Sequence, residues 1–206
     1  MRIESIDDSN DLFEVKNVVT QETMEELNKL DLLSLPRVHN LGQDHWNRVS
    51  LDSRHPVFEQ VIKEANTHCD VISKAVGRNV ISLTGRFWLD YEGFTIQPHV
   101  DASGVDLTFQ LYLKDLPYAG TRFFTPSPLD MYQKNDNQKW HWMPGHKMFA
   151  DEDPMLPMRS IPRKKFRCVA NTGYIMINHP GQLHSVPIVL KKDELRLSVY
   201  FHCQIG

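Results

Sequence analysis

Two hydrophobic periods divide the chain. From Pro56 onward, Phe58, Val61, Ile62, Ala65, Cys69, Ile72 and Val76 recur at three- and four-residue spacing. Such spacing lines one face of a helix, and Gly77 is placed to close it. Beyond Gly77 the period drops to two. Ile81, Leu83, Phe87 and Leu89 alternate with Ser82, Thr84, Arg86 and Trp88, and Val105, Leu107, Phe109, Leu111 and Leu113 alternate with Asp106, Thr108, Gln110 and Tyr112. That alternation predicts half-buried strands. Further strands are predicted over 121–124, 166–170, 174–178, 183–189 and 194–203, separated by Gly, Pro and Asn turns. Ahead of the long helix, 13–16 predicts a short strand, and Thr20 can cap a helix that carries Met24, Leu27 and Leu30 and ends before Pro36. Many short strands behind a helical front end imply a mainly β fold, a sandwich or barrel.

The alternation fails between Pro126 and Ala170. Pro126, Pro128, Pro144, Pro154, Pro157 and Pro162, half of the twelve prolines, fall there among Trp140, His141, Trp142 and His146. A regular strand pair cannot run throughout such a stretch, and a long irregular insertion in a small domain is expected to be a lid or specificity loop, the alternative being a plain surface excursion.

Composition narrows the partner more than the fold. The 206 residues suit one domain of this type. Lys and Arg (23) nearly balance Asp and Glu (26), and no basic run exceeds Arg163-Lys164-Lys165, so no nucleic-acid or anionic-membrane footprint is expected. A small molecule or a weakly charged peptide is the expected partner, and nothing specifies an oligomeric state. There is no apolar run of the roughly 18 residues needed to span a bilayer, and Met1 to Asp8 has no apolar core of a secretion signal. A cytoplasmic protein is expected. Cys69, Cys168 and Cys203 form neither a disulfide framework nor a zinc pattern and are expected to be buried thiols.

The candidate chemistry begins with two His-x-Asp pairs. His68-Cys69-Asp70 falls in the helical pattern, where residues two apart diverge, and is read as a chance pair. His99-Val100-Asp101 lies between the two clearest strand patterns. In extended backbone, residues two apart emerge on one face, so an imidazole and a carboxylate can meet one metal. His179 and His184 are the candidates for a third ligand. His184 is preferred because it opens the strand-like His184-Ser185-Val186, whereas His179 lies in a turn-like Asn178-His179-Pro180-Gly181. Two histidines and one carboxylate leave open positions on an octahedral ion, as in non-haem Fe(II) oxygen activation. In the last strand, Arg196, Ser198, Tyr200 and His202 share one face, and Leu195, Leu197, Val199 and Phe201 the other. If the apolar side seals the sandwich, a guanidinium points inward and needs an anionic partner. A ligand carboxylate held bidentately would serve, which suggests a dicarboxylic ligand.

Tyr91-x-Gly93, Pro98-His99-Val100-Asp101, Gly120-Thr121-x-Phe123, Asn171-x-Gly173-Tyr174, His184-Ser185-Val186 and Arg196-Leu197-Ser198 occur in that order. The set resembles the Fe(II)/2-oxoglutarate-dependent oxygenase superfamily, most nearly its prolyl-4-hydroxylase-like branch, over residues 80 to 203. The resemblance implies a double-stranded β-helix, a jelly-roll relative of the cupins, as a single domain: a helical support region over 1–79, a jelly-roll core over 80–203 and the insertion over 126–170. It further implies His99, Asp101 and His184 as iron ligands, Arg196 as the partner of the distal carboxylate of 2-oxoglutarate, and Ser198 or Tyr91 as hydrogen-bond donors to it. With O2, such a site would hydroxylate an unactivated C–H bond of a peptidyl residue, proline among the candidates, or of a small metabolite, and release succinate. Ile96, where prolyl hydroxylases often carry tyrosine, Ala119-Gly120 in place of a Gly-Gly pair, and the long insertion depart from the pattern and bear on the substrate. Arg86 and Arg122 are candidate polar anchors for it. The alternative is a catalytically silent cupin-like module that holds a metal and a carboxylate. A zinc hydrolase has no helical His-Glu-x-x-His run to support it.

Overall fold

The computed structural model describes residues 1–38, 47–99, 101, 105–124, 162–179, 182–186 and 189–206. The side chain of His99 and most of the 126–170 insertion, with Trp140 and Trp142, lie outside the described residues. Strands β1 (Arg2–Ser5) and β2 (Leu12–Lys16) precede helix α1 (Gln21–Asn28). Strands β3 (Arg37–Val38) and β4 (Arg48–Leu51) precede helices α2 (Pro56–Asn66) and α3 (Cys69–Val76). Then come β5 (Val80–Asp90), β6 (Ile96–His99), β7 (Leu107–Tyr112), β8 (Arg122–Phe124), β9 (Pro162–Lys165), β10 (Thr172–Ile177), β11 (His184–Val186) and β12 (Arg196–Ile205).

The strands form two antiparallel sheets. The larger runs β1-β2-β10-β7-β12-β5-β4-β3, and the smaller β6-β11-β8-β9. From β5 to β12 the chain passes repeatedly between the sheets, with β5, β7, β10 and β12 in one and β6, β8, β9 and β11 in the other. This is the expected jelly roll. The front end is less purely helical than the periodicity predicts, because β1 to β4 extend the larger sheet at both edges.

The helices cover one face of the larger sheet. Phe58, Val61 and Ala65 of α2 and Ile72 and Val76 of α3 join Leu83, Phe87, Leu89, Phe109, Val199 and Phe201 in one buried cluster, where the Phe58 and Phe87 rings stack with centroids 4.0 Å apart. The apolar face of β12 therefore packs outward against helices, and the space between the sheets takes its polar face. The single long helix expected from Pro56 is broken at Thr67 and His68. The His68 ring lies 3.0 Å from the Val18 carbonyl, so the first His-x-Asp pair ties the helix break to the chain before α1. Gly77, with φ of 66°, ends α3 as expected.

Two local features differ from the expected pattern. Ile81, expected on the buried face, is 54% exposed, because the register jumps from Gln204↔Ser82 to Ile205↔Val80 and leaves it as the extra residue of a bulge. The strand expected over 166–170 forms earlier, at Pro162–Lys165, while Cys168 makes only an isolated bridge to Leu116. A Cβ at Gly120 would overlap the carbonyl oxygen of Phe166, so that motif glycine serves close backbone approach. Asn171 is also architectural: its side chain accepts from the Val18 and Val19 amides at 2.8 and 3.0 Å and donates to the Val19 carbonyl at 2.8 Å.

Candidate metal and carboxylate site

Strand pairing sets the backbones of two predicted ligands side by side. In the smaller sheet His184 of β11 sits opposite His99 of β6, so residues 85 positions apart become cross-strand neighbours. The buried His184 ring stacks on Phe123 at 5.3 Å. Its Nδ1 faces the Gln182 carbonyl oxygen at 3.0 Å. A carbonyl only accepts, so Nδ1 is the donor, and in the neutral ring Nε2 is the nitrogen that carries the lone pair. That nitrogen lies 3.6 Å from Oδ1 of Asp101, a gap one ion can bridge with two bonds of about 2 Å. The carbonyl behind His184 is the kind of outer partner that fixes a metal-binding imidazole.

Asp101 is held from behind as well. Its Oδ2 accepts from Thr108 Oγ1 at 2.8 Å. Thr108 Oγ1 also lies 3.1 Å from the Tyr200 hydroxyl and 2.9 Å from Nδ2 of Asn178. Burial and the Asp101 carboxylate push the Tyr200 phenol up to about 12, so it stays protonated at neutral pH. His179, the candidate not preferred, lies instead against Asp11, Nε2 to Oδ2 at 2.7 Å. Asp11 and Asp7 also receive Arg163, with Nε to Asp7 Oδ2 at 2.6 Å and Nη2 to Asp11 Oδ1 at 2.5 Å. Gln182 donates to the Asp11 carbonyl at 3.1 Å. The segment that positions His184 is thus anchored on the N-terminal hairpin.

Arg196 lies between the sheets, 1% exposed, on the same face as Ser198. Its anionic partner is in the chain: Nη1 donates to Asp90 Oδ2 at 2.5 Å. The anionic partner for which a ligand carboxylate was the expected candidate is thus supplied by Asp90. Asp90, fully buried, also receives Arg48, Nε to Oδ1 at 2.5 Å and Nη2 to Oδ2 at 3.1 Å. Arg48, Asp90 and Arg196 occupy one cross-strand row of β4, β5 and β12, and two guanidinium groups around one carboxylate leave a net positive charge. The Arg196 guanidinium lies 5.2 Å from the Tyr112 ring centre and 5.6 Å from that of Phe94. Among the described residues, Arg196 Nε and Ser198 Oγ are buried with no hydrogen-bond partner. A bound carboxylate would satisfy both, and the remaining positive charge would favour it.

Tyr91 starts the turn after β5, where its amide donates to the Asn47 carbonyl at 3.0 Å and its carbonyl accepts from Phe94 at 2.9 Å. Among the described residues its hydroxyl makes no hydrogen bond to Arg196 or Ser198. Of the two candidate anchors, Arg86 lies over the Trp88 ring at 5.6 Å, and Arg122 starts β8 opposite Ser185 and Lys165. Sequence reasoning missed Arg48, Asp90, Thr108, Asn178 and Gln182. The alternation of Arg48-Val49-Ser50-Leu51 was the available signal for β4; for the others the signal is strand register.

Against known proteins, no family model and no curated protein matches the chain. Solved structures do. The epimerase SnoN in complex with Fe3+, alpha ketoglutarate and nogalamycin RO superposes with a TM-score of 0.58 at 16% identity, covering 94% of this chain and 78% of that one. A Pseudomonas putida prolyl-4-hydroxylase superposes at 0.54 with 12% identity, covering 94% and 92%. A Trichoplax adhaerens prolyl hydroxylase in complex with a hypoxia inducible factor peptide fragment superposes at 0.58 with 10% identity, covering 95% and 84%. The chain has the jelly-roll fold of the Fe/2-oxoglutarate-dependent oxygenases.

Proposed function

We propose that the protein is an Fe(II)- and 2-oxoglutarate-dependent dioxygenase that hydroxylates an unactivated C–H bond of a small metabolite or a peptidyl residue, proline among the candidates. One observation carries the reading: the Nε2 lone pair of His184 and Oδ1 of Asp101 converge at 3.6 Å, with His99 directly across the strand pair. The neighbour solved with Fe3+ and alpha ketoglutarate supports the choice of metal and cosubstrate. His99, Asp101 and His184 hold the metal. Arg196 and Ser198 take the distal carboxylate, with Arg48 and Asp90 fixing the guanidinium; Tyr91 is a less supported donor. Fe(II) bound there, together with 2-oxoglutarate and O2, supplies an oxidant for C–H bonds, with succinate and CO2 as coproducts.

The chain's own part is binding, orientation and exclusion of water. His184 is locked by a carbonyl and a ring, Asp101 by a buried hydroxyl, and the carboxylate pocket lies within a buried core that keeps its charge effective. We take the whole chain as one oxygenase domain. Among the described residues no helix is long and apolar enough to cross a membrane, and the three cysteines remain free thiols, which suits a reducing cytoplasm.

The test is anaerobic mixing with Fe(II) and 2-oxoglutarate. A visible metal-to-ligand charge-transfer band is expected, lost in Asp101→Ala plus His184→Ala, followed by succinate formation on admission of air. No band from folded, metal-loaded protein overturns the assignment; a band without succinate under any candidate substrate identifies the silent binding module instead.

A further inference from the structure

We propose that Thr108 decides how Asp101 meets the metal: by holding Oδ2, it leaves Oδ1 as the oxygen that binds, so the carboxylate contributes one donor rather than two. The inference rests on the metal-site reading above and deepens it.

The hydrogen-bond count around Thr108 supports this. A threonine hydroxyl has one proton and two lone pairs. Oγ1 of Thr108 has three partners, Asp101 Oδ2 at 2.8 Å, Asn178 Nδ2 at 2.9 Å and the Tyr200 hydroxyl at 3.1 Å. An amide nitrogen can only donate, and an ionised carboxylate can only accept. The Thr108 proton therefore goes to Asp101, and the Tyr200 proton goes to Thr108. Every valence of Thr108 is then used, and its hydroxyl cannot turn away from Asp101 without losing a partner in a site where Thr108 is 2% exposed.

The placement suits the role. Thr108 projects from β7 beneath Asp101, between His202 of β12 and Met176 of β10 in register, so it rides on the centre of the larger sheet. Oδ1, the other oxygen, is the one 3.6 Å from His184 Nε2. Carboxylates can bind a cation through one oxygen or both. A charge-assisted hydrogen bond on Oδ2 competes with the second mode. One donor from Asp101 keeps a further position on the ion for cosubstrate or oxygen, which a site with three protein ligands requires.

The experiment compares wild type, Thr108→Val, Thr108→Ser and Asp101→Ala by titration with Co(II) alone, read by calorimetry and by visible absorption. Thr108→Val keeps the shape and removes the hydroxyl; it is expected to weaken Co(II) binding about 10- to 100-fold and to change the Co(II) visible spectrum. Thr108→Ser is expected to restore both, which a merely structural role for the methyl would not. Thr108→Ala supplies the same deletion if the valine protein does not fold. Wild-type affinity and spectrum in the hydroxyl-free variant, or equal losses in Thr108→Ser and Thr108→Val, overturn the role of Thr108 and leave the metal site standing. Absence in wild type of any Co(II) binding that Asp101→Ala removes overturns both.

Discussion

The polar face of the larger sheet has two ends that hold their charges differently. Around Arg196, three charged side chains are taken out of water and compensate one another, with Asp90 fully buried between two guanidinium groups. Around Asp101, the carboxylate keeps a side-chain exposure of 20%, accepts from the Thr108 hydroxyl, which Tyr200 backs in turn, and lies 3.6 Å from the His184 ring. Buried charge is costly unless every partner is present, so the Arg196 end is bound into the stability of the fold. The Asp101 end, with a single partly exposed charge, is expected to contribute less to it. The proposed pocket for a fixed carboxylate and the proposed site for an exchangeable ion would need that contrast.

The largest effect expected from breaking it is on stability. Asp90→Asn leaves two buried cations without a carboxylate and is expected to cost about 3–5 kcal/mol, measured by chemical denaturation. Asp101→Asn is expected to cost about 1 kcal/mol or less while abolishing metal binding. Equal losses would show that the two ends are built alike.

Arg196→Met removes one guanidinium but leaves Asp90 paired with Arg48, and a flexible apolar chain fills the space. Affinity for 2-oxoglutarate in the metal-loaded protein is expected to fall roughly 10- to 100-fold, in line with about 1.5–3 kcal/mol for charged hydrogen bonds. Arg196→Lys is expected to recover little of it, because an ammonium cannot reproduce the planar fork that meets Asp90 and a second carboxylate together. Calorimetry with 2-oxoglutarate checks both.

Ser198→Ala sharpens the comparison through opposite signs. The Ser198 hydroxyl is buried without a partner among the described residues, so its removal is expected to leave the ligand-free protein unchanged or up to about 1 kcal/mol more stable. Affinity for 2-oxoglutarate is expected to fall about 5- to 10-fold, the worth of one lost hydrogen bond. A parallel loss of stability and affinity would remove Ser198 from the pocket.

The smallest effect concerns acid. Hydrogen bonds from Arg163 hold the Asp7 carboxyl well below the usual carboxylate range, against a smaller opposing effect of burial. A carboxyl with a depressed pKa in the folded protein contributes stability fully present above its unfolded value, about 3.9, and lost as pH falls through the folded one. Asp7→Asn is therefore expected to melt slightly below wild type at neutral pH, with the two curves approaching each other as pH falls below about 4. Because Arg163 also reaches Gln182, Nη1 to Oε1 at 3.4 Å, acid is expected to loosen the His184 segment before the Arg196 end. Thermal melts over a pH series, with and without metal, read this directly.

Much of the fold was legible because burial imposes a period. The alternation of β7 and β12 and the stripe along α2 and α3 could be read directly, since one face of each had to be apolar. The break at His68 could not, because the apolar stripe continues across it and the partner that holds the break is the Val18 carbonyl. Ile81 misled for a similar reason: a bulge is set by the pairing strand and leaves no mark in the local pattern. Of the candidate site, His99, Asp101, His184, Arg196 and Ser198 were visible in the sequence as residue types, and the parity of β12 already set Arg196 and Ser198 on one face. Asp90 was invisible as a partner, although it continues the polar parity of Arg86 and Trp88 in β5.

By itself, then, the sequence determined which side chains face which way, because strand and helix periods are local and each residue carries its own polarity. Only the tertiary structure decided which of them meet. Cross-strand register put His184 beside His99 and Asp90 between two arginines, the fold of the chain after β6 put Asp101 against Thr108, and both depend on the packing of whole sheets rather than on any one segment. The charge balance around Arg196 and the backing of Asp101 are properties of that packing.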